Sequence, residues 1–201
     1  MSRTNNLEFE NKGYLFVPEM IKLDTEIARP EPDDNIPGEF KPWFEGLNRI
    51  GVGDRQVEGS IERYRSPEFK DIYYRVKPIV EKHIGKKLLP TYFFDRVYYP
   101  GQPLTKHVDR CECEISLSMH ISTNLSIEDA AWPLKFLKDG ENYSVSMPNP
   151  GDAVIYKGDS VLHWRDPMPG TEDSDDYFHQ IFFHWVLADG YYVEHAYDPF
   201  R

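Results

Sequence analysis

Apolar and polar side chains alternate strictly between residues 113 and 121. A period of two places every apolar side chain on one face of a β-strand and every polar side chain on the other. We therefore predict a strand whose apolar face packs against neighbouring structure and whose second face is polar. The apolar face consists of Ile115, Leu117, Met119 and Ile121.

Short β-rich runs, separated by turn-forming clusters, continue from residue 91 to the end of the chain. Many short strands of this kind are typical of a sandwich or barrel. The predicted fold is mainly β with packed helices, arranged as a double-stranded β-helix, which is a cupin-like jelly roll. Besides residues 113–121, the predicted strands are TYFFDRVYY, WPLKFLK, YSVSM, DAVIYKG, VLHWR, HQIFFHWVLA and YYVEHAY.

The first 90 residues have a different pattern, and we predict that they support the jelly-roll core 91–201 within a single domain, 1–201. Residues 8–21 indicate a short strand. The stretch 28–42 is rich in proline and acidic residues, so it forms no regular element and is either a loop over a cleft or a connector.

One helix is predicted after residue 66. Ser66 is expected to cap it, Pro67 to occupy its first position and Gly85 to end it. Pro78 lies inside the apolar pattern of this helix, so a kink or a break is expected there.

Composition and charge narrow the range of functions. The chain of 201 residues is long enough for one domain with a substantial core, and its net charge of −11 argues against a nucleic-acid partner. No apolar run reaches the length of a membrane span, so no membrane partner is expected. The two cysteines, Cys111 and Cys113, fall short of a structural zinc set, and we expect reduced, buried packing residues in a cytoplasmic protein.

The strongest chemical signal is the pair His107 and Asp109. Residues i and i+2 of an extended segment project to the same side, so this imidazole and carboxylate are able to bind one ion. Taken alone, such a pair is more often a solvated turn. His163 supplies a third ligand, because the strands between it and Asp109 bring a jelly roll back beside its own beginning. Two histidines and one carboxylate leave about three coordination positions open, which suits non-haem Fe(II) acting with O2.

Several segments, taken in order, resemble the Fe(II)/2-oxoglutarate-dependent dioxygenases, nearest to the prolyl-hydroxylase-like branch. The resemblance covers about residues 91–187. Each segment is common by itself, but their order and spacing together are specific. The matching segments are Arg96-Val-Tyr-Tyr-Pro-Gly101, His107 with Asp109, the strand ending in MHIS, WPLKF, PNPGDAVIY and His163.

The resemblance implies an enzyme in which His107, Asp109 and His163 hold Fe(II), with 2-oxoglutarate and O2 as cosubstrates. The implied reaction is hydroxylation of an unactivated C–H group in a peptide or protein side chain or in a small molecule, with release of succinate and CO2. Tyr99 and His120 match positions at which relatives carry tyrosines, so both are candidates for contact with 2-oxoglutarate.

The chain departs from the family at the residue that pairs with the distal carboxylate of 2-oxoglutarate. Relatives usually place Arg or Lys at the start of the last core strand, but no Arg or Lys occurs between Asp166 and Phe200. His179 is the nearest match, with Gln180 beside it. Arg165 lies two residues after His163, so both side chains face the same way on one strand. We expect Arg165 to bind that carboxylate; the alternative is that it pairs with an acid such as Asp166 at the surface.

Two other interpretations stay open at this point. A cupin-like oxygenase would use the same three ligands without 2-oxoglutarate, which fits the missing basic residue in the last strand. A non-catalytic jelly-roll binding module would place His107 and Asp109 at a polar rim and would not bring His163 near them. We interpret His184 as a core histidine and the acidic residues 172–176 as a solubilising loop.

Overall fold

The computed structural model describes residues 2–23, 56–171 and 174–197. The predicted irregular stretch 28–42 and residues 172–173 of the acidic loop lie outside these ranges. Among the helices described, none is both long and apolar enough to span a bilayer.

Short strands make up most of the described chain. In chain order they are β1 (Tyr14–Val17), β2 (Ile61–Tyr64), β3 (Leu88–Tyr98), β4 (Leu104–His107), β5 (Ile115–Thr123), β6 (Leu134–Lys138), β7 (Glu141–Val145), β8 (Ala153–Tyr156), β9 (Leu162–Arg165) and β10 (Phe178–Leu187). The helices are α1 (Ser2–Lys12), α2 (Lys70–Ile84) and α3 (Ile127–Ala130). Single 3-10 turns lie at Pro67–Phe69, Cys111–Cys113 and Val193–His195.

The strands form two antiparallel sheets. The six-stranded sheet has the order β1-β8-β5-β10-β3-β2, and the four-stranded sheet has the order β4-β9-β6-β7. Strand β5 pairs with β10 and β8, and β4 pairs with β9, which is the connectivity that folds a chain back on itself as a double-stranded β-helix. The predicted fold class is therefore confirmed.

Two hydrophobic cores lie on opposite faces of the larger sheet. One core joins that sheet to α2 through residues such as Val76, Val80 and Leu117. The other core lies between the two sheets and includes Phe136 and Phe178. Because side chains alternate along a strand, strands β1, β3, β8 and β10 of the larger sheet each contribute residues to both cores.

Strand β5 shows this division as the sequence predicts. Its apolar residues, among them Leu117 and Met119, lie in the core beneath α2. The polar residues between them, Ser116, Ser118 and His120, are also buried, because they face the space between the two sheets. The polar residues of β5 therefore form one wall of the space between the two sheets.

Helix α2 begins later than predicted. A 3-10 turn occupies Pro67–Phe69, and the α-helix starts at Lys70 without a side-chain cap. Ser66 is not the cap, because its buried hydroxyl donates to Asp95 on β3, 3.0 Å away. The Ser66 hydroxyl, which the local sequence would place as a helix cap, therefore forms a tertiary hydrogen bond instead.

The end of α2 is as predicted, but Pro78 does not break the helix. Gly85 adopts a left-handed conformation with φ of 70° and closes the last turn by donating its N–H to the backbone carbonyl of Glu81. Pro78 has no N–H to donate to the carbonyl of Tyr74, so the helix lacks one hydrogen bond at this turn. Packing of Val76 and Val80 on either side of Pro78 keeps the helix continuous.

Three further local predictions were wrong. Residues 8–12 belong to α1, so only Tyr14–Val17 of the predicted strand 8–21 is extended. Cys111 is half-exposed rather than buried, and it lies with buried Cys113 on a 3-10 turn before β5. The predicted last strand YYVEHAY contains the 3-10 turn Val193–His195 instead, without a buried side chain.

Glu81 joins the end of α2 to the start of β3, and it generates a prediction about acid stability. Its carboxylate accepts the Leu88 N–H at 2.9 Å and the Lys77 ammonium at 2.8 Å. Burial by itself would raise the pKa of Glu81, but hydrogen bonds from Lys77, Leu88 and Lys87 outweigh it and lower the pKa to about 2.

Because the folded-state pKa of Glu81 lies below its ordinary value of 4.5, its stabilising contribution is lost as the pH falls from about 4.5 to about 2. We expect Glu81→Gln to reduce the free energy of unfolding by about 1 kcal/mol at pH 7 and to weaken its dependence on pH in that window. Urea unfolding at several pH values measures both effects. Exposed Glu58→Gln is the control, and equal behaviour of the two variants would contradict the prediction.

Candidate metal centre

Pairing of β4 with β9 brings the predicted ligands together. His107 at the end of β4 lies opposite His163 on β9 in the register of this pair. Asp109 lies in the loop after β4, where its backbone N–H donates to the carbonyl of Gly158 at 2.8 Å. Its Oδ1 atom is 3.4 Å from His107 Nε2 and 3.6 Å from His163 Nε2. The three side chains therefore converge on one point.

Both imidazoles are held in the orientation that a metal ligand needs. His107 Nδ1 donates to the carbonyl of Thr105 at 2.7 Å, and His163 Nδ1 donates to the carbonyl of Val161 at 2.9 Å. A carbonyl accepts only, so each Nδ1 carries the hydrogen and each Nε2 lone pair faces Asp109. Such outer hydrogen bonds fix the tautomer and ring orientation of metal-binding histidines.

The Asp109 carboxylate is fixed and ionised. Its Oδ2 atom accepts from the hydroxyl of Ser116 at 3.1 Å, and Ser116 also lies 2.9 Å from Nδ1 of His184. Burial raises the pKa of Asp109, but the adjacent imidazoles of His107 and His163 outweigh it and hold the pKa far below its ordinary value. An ionised carboxylate is the form that binds a cation.

Gly158 makes this close packing possible. A side-chain carbon at this position would collide with Asp109, with Ser116 and with the carbonyl of Cys113. The absence of a Cβ atom lets the turn before β9 lie directly against the loop that carries Asp109. The site is therefore assembled from two loops that only glycine allows to meet.

Arg165 lies on the same face of β9 as His163 and is 1 % exposed. Its Nη1 atom donates to the carbonyl of Trp132 at 2.8 Å, and its guanidinium carbon lies 4.2 Å from the centre of the Trp132 ring. Within the described ranges, neither Nε nor Nη2 has a hydrogen-bond partner. Burial lowers the pKa of Arg165 to about 10, so the group stays cationic at neutral pH.

The alternative of surface pairing between Arg165 and Asp166 is contradicted. Asp166 is exposed and pairs with Lys135 of β6, whereas the Arg165 guanidinium points between the two sheets. The interior therefore contains a cation whose free N–H groups are directed away from solvent.

The other cosubstrate candidates fall on different faces. His120 faces the interior: its ring stacks on Phe178 at 4.3 Å, and its Nδ1 donates to the carbonyl of Met147 at 2.9 Å. Burial lowers the pKa of His120 to about 4, so the ring is neutral at pH 7. Gln180 also faces inward, where its amide donates to Ser118.

His179 is not part of the site. Its Nε2 atom lies 2.9 Å from Asp95, and its ring packs edge-on against Phe69, on the face of β10 that α2 covers. Tyr99 follows the end of β3 and is half-buried, whereas its neighbour Tyr98 is fully buried in the core between the sheets. Neighbouring side chains of a strand face opposite ways. This is why His179 lies under α2 while Gln180 faces the interior, and why Tyr98, rather than Tyr99, lies in the core between the sheets.

Sequence reasoning missed several side chains that shape the interior. Ser116 was detectable, since it lies on the polar face of the alternating strand next to the proposed ligands. Tyr98 follows from counting alternation along β3. No sequence pattern indicated Trp132. Its carbonyl and ring contact Arg165, which is distant from it in sequence.

Comparison with known proteins shows a shared fold. No protein-family model matches the chain, and no curated protein sequence matches it. A Pseudomonas putida prolyl-4-hydroxylase has a similar structure, with a TM-score of 0.58, 13 % identity, and coverage of 92 % of this chain and 98 % of that chain. A Trichoplax adhaerens prolyl hydroxylase, solved with a peptide fragment of hypoxia inducible factor, gives a TM-score of 0.61 at 11 % identity, covering 92 % and 90 %.

HygX from Streptomyces hygroscopicus, solved with nickel and 2-oxoglutarate bound, is also similar, with a TM-score of 0.58 and 12 % identity over 92 % of this chain and 87 % of that chain. Identities this low show the fold and nothing more specific. They agree with the double-stranded β-helix seen here over nearly the whole length of each chain.

The hydrogen bond from Ser116 to Asp109 gives a testable prediction. Removing such an outer partner typically costs about 10-fold to 100-fold in metal affinity. We expect Ser116→Ala to weaken binding of Mn²⁺ to the apo-protein by about that factor, as measured by isothermal titration calorimetry.

Ser118→Ala is the matched control, because Ser118 lies on the same inner face of β5 but contacts Gln180 instead. We expect this variant to bind Mn²⁺ like the unmodified protein. Equal losses in both variants would show that general damage to β5, rather than the bond to Asp109, sets the affinity.

Proposed function

We propose that the protein is an Fe(II)- and 2-oxoglutarate-dependent dioxygenase that hydroxylates an unactivated C–H group. His107, Asp109 and His163 would hold the metal through two Nε2 atoms and one carboxylate. Two neutral imidazoles with one carboxylate are the donor set of non-haem Fe(II) oxygenases. When bound, Fe(II) would supply the activation of O2 together with oxidative decarboxylation of 2-oxoglutarate to succinate and CO2.

The observation that carries this proposal is the incompletely paired, buried guanidinium of Arg165. A buried charge is costly unless it is paired and hydrogen-bonded. Free Nε and Nη2 atoms on one guanidinium match the paired oxygens of a carboxylate. The Arg165 side chain therefore fits an anionic ligand that enters the interior, and the distal carboxylate of 2-oxoglutarate is such a group.

The spacing of His163 and Arg165 supports the same assignment. Two residues of one strand are separated by about 6.6 Å along the strand, which is comparable to the length of a five-carbon dicarboxylate. Both side chains face the core between the sheets, where Trp132 and Phe178 exclude water. A dicarboxylate held by Arg165 would therefore direct its other end toward the metal ligands.

Two competing interpretations lose their support. The cupin-like oxygenase without 2-oxoglutarate rested on the missing basic residue in the last strand, and Arg165 places a cation in the interior from β9 instead. The binding module required His163 to lie apart from His107 and Asp109, but one ligand atom from each of the three side chains lies within 4.8 Å of the other two.

The substrate is proposed to be a peptide or protein side chain or a small molecule. The Trichoplax enzyme was solved with a peptide fragment, and HygX was solved with hygromycin B, so this fold accepts both classes. Free Cys111 and Cys113 fit a reducing compartment such as the cytoplasm.

The proposal predicts a visible metal-to-ligand charge-transfer band when anaerobic apo-protein receives both Fe(II) and 2-oxoglutarate. The band should be absent with either component alone and absent in His107→Ala. Arg165→Met should still bind Fe(II) but should require about 100-fold more 2-oxoglutarate, since it loses charge-assisted hydrogen bonds to the distal carboxylate.

Lys135→Met is the control for removing a positive charge, because Lys135 lies at the surface of β6 and pairs with Asp166. It should leave the titration with 2-oxoglutarate unchanged. Fe(II) binding without the band would favour the oxygenase that does not use 2-oxoglutarate. Failure to bind any metal would favour the non-catalytic module.

A further inference from the structure

A second group of metal-binding side chains lies outside the candidate metal centre. Cys111 and Glu112 belong to the 3-10 turn that follows Asp109, and His195 belongs to the C-terminal 3-10 turn. Cys111 Sγ is 3.4 Å from His195 Nε2 and 3.4 Å from Glu112 Oε2. One ligand atom from each of these residues lies within 4.8 Å of the other two.

These separations match a tetrahedral zinc site. With a Zn–S bond of about 2.3 Å and a Zn–N bond of about 2.0 Å, a tetrahedral angle separates sulfur and nitrogen by about 3.5 Å. The distances from Cys111 to His195 and to Glu112 are both close to this value. Thiolate, imidazole and carboxylate are all donors that Zn²⁺ accepts.

The C-terminal segment gives a second, independent reason to expect a tether. Between residues 188 and 197 no side chain is buried, so hydrophobic packing does not hold this segment. Backbone hydrogen bonds join it to the start of β3, from Ala188 to Lys87 at 2.8 Å and from Tyr197 to Pro90 at 2.6 Å. His195 nevertheless lies against Cys111, more than eighty residues away in sequence. A shared ion would stabilise this contact.

The local charge favours a cation. Glu194 Oε1 lies 3.7 Å from His195 Nε2, and Glu112 Oε1 lies 3.7 Å from His195 Nδ1. Arg110 is the nearby basic group that offsets the charge of Glu112, and its guanidinium lies over the ring of Tyr92. Two carboxylates and one thiol therefore surround His195.

We propose that Cys111, Glu112 and His195 form a second metal site, for Zn²⁺ or a similar divalent ion, that fastens the C-terminal segment to the loop carrying Asp109. The Cys111 thiol releases its proton to solvent when the ion binds, and water occupies the fourth position. This site does not depend on the proposed oxygenase activity, because none of its ligands belongs to the first centre.

Co²⁺ titration of the anaerobic apo-protein tests the proposal. A thiolate bound to Co²⁺ gives a near-ultraviolet charge-transfer band, whereas a centre made of His107, Asp109 and His163 contains no sulfur. We expect the unmodified protein to develop the thiolate band and His107→Ala to retain it. Cys111→Ser and His195→Ala should both lose the band, and these half-exposed positions should tolerate the change.

Cys113→Ser is the matched control, because Cys113 forms another potential ligand group with Asp109 and His184. Cys113 is buried and lies 3.1 Å from the hydroxyl of Tyr92, so we expect its removal to leave the band in place. Absence of the band in the unmodified protein would overturn the proposal. So would loss of the band in Cys113→Ser with retention in Cys111→Ser.

Hydrogen exchange provides the structural readout. With Zn²⁺ bound, the backbone amides of residues 190–197 should exchange at least about 10-fold more slowly than in the apo-protein. The same addition should have no effect on those amides in Cys111→Ser. Equal exchange with and without Zn²⁺ in the unmodified protein would show that no ion fastens the segment.

Discussion

The burial of the Arg165 guanidinium is the constraint on which the interior depends. Along the described chain, no acidic side chain neutralises it, and only the Trp132 carbonyl accepts one of its hydrogens. The flanking rings of Trp132 and Phe178 offer cation–π contacts, which offset part of the cost of burying the charge. An interior built in this way favours an anionic ligand, and on the proposed assignment strand β9 would align that ligand with His163.

The larger sheet makes this interior possible because it separates two chemistries onto its two faces. Its outer face packs on α2 with apolar side chains, which stabilise the fold. Its inner face can then carry Ser116 and His120 without loss of the hydrophobic core. Ser116 orients the Asp109 carboxylate, and neutral His120 supports the Phe178 ring beside Arg165. One face of these strands therefore stabilises the fold, and the opposite face positions the side chains of the site.

The fold and the three proposed metal ligands could be predicted from sequence, because alternation and spacing are local signals. The inward direction of Arg165 could also be predicted from the sequence, since it follows from that of His163 on the same strand. Tyr98 and His179 depended on knowing where β3 and β10 begin, which local patterns define poorly. The hydrogen bond from Ser66 to Asp95, which leaves α2 without the expected cap, was not predictable, and neither was the contact of Cys111 with His195, because both depend on partners distant in sequence.

A crystal structure of the protein with Mn²⁺ and 2-oxoglutarate, grown without oxygen, tests the central claim most directly. The account predicts one ion bound by His107, Asp109 and His163, with 2-oxoglutarate chelating it and the distal carboxylate on Nε and Nη2 of Arg165. An ion bound elsewhere, or a dicarboxylate directed away from Arg165, would contradict it.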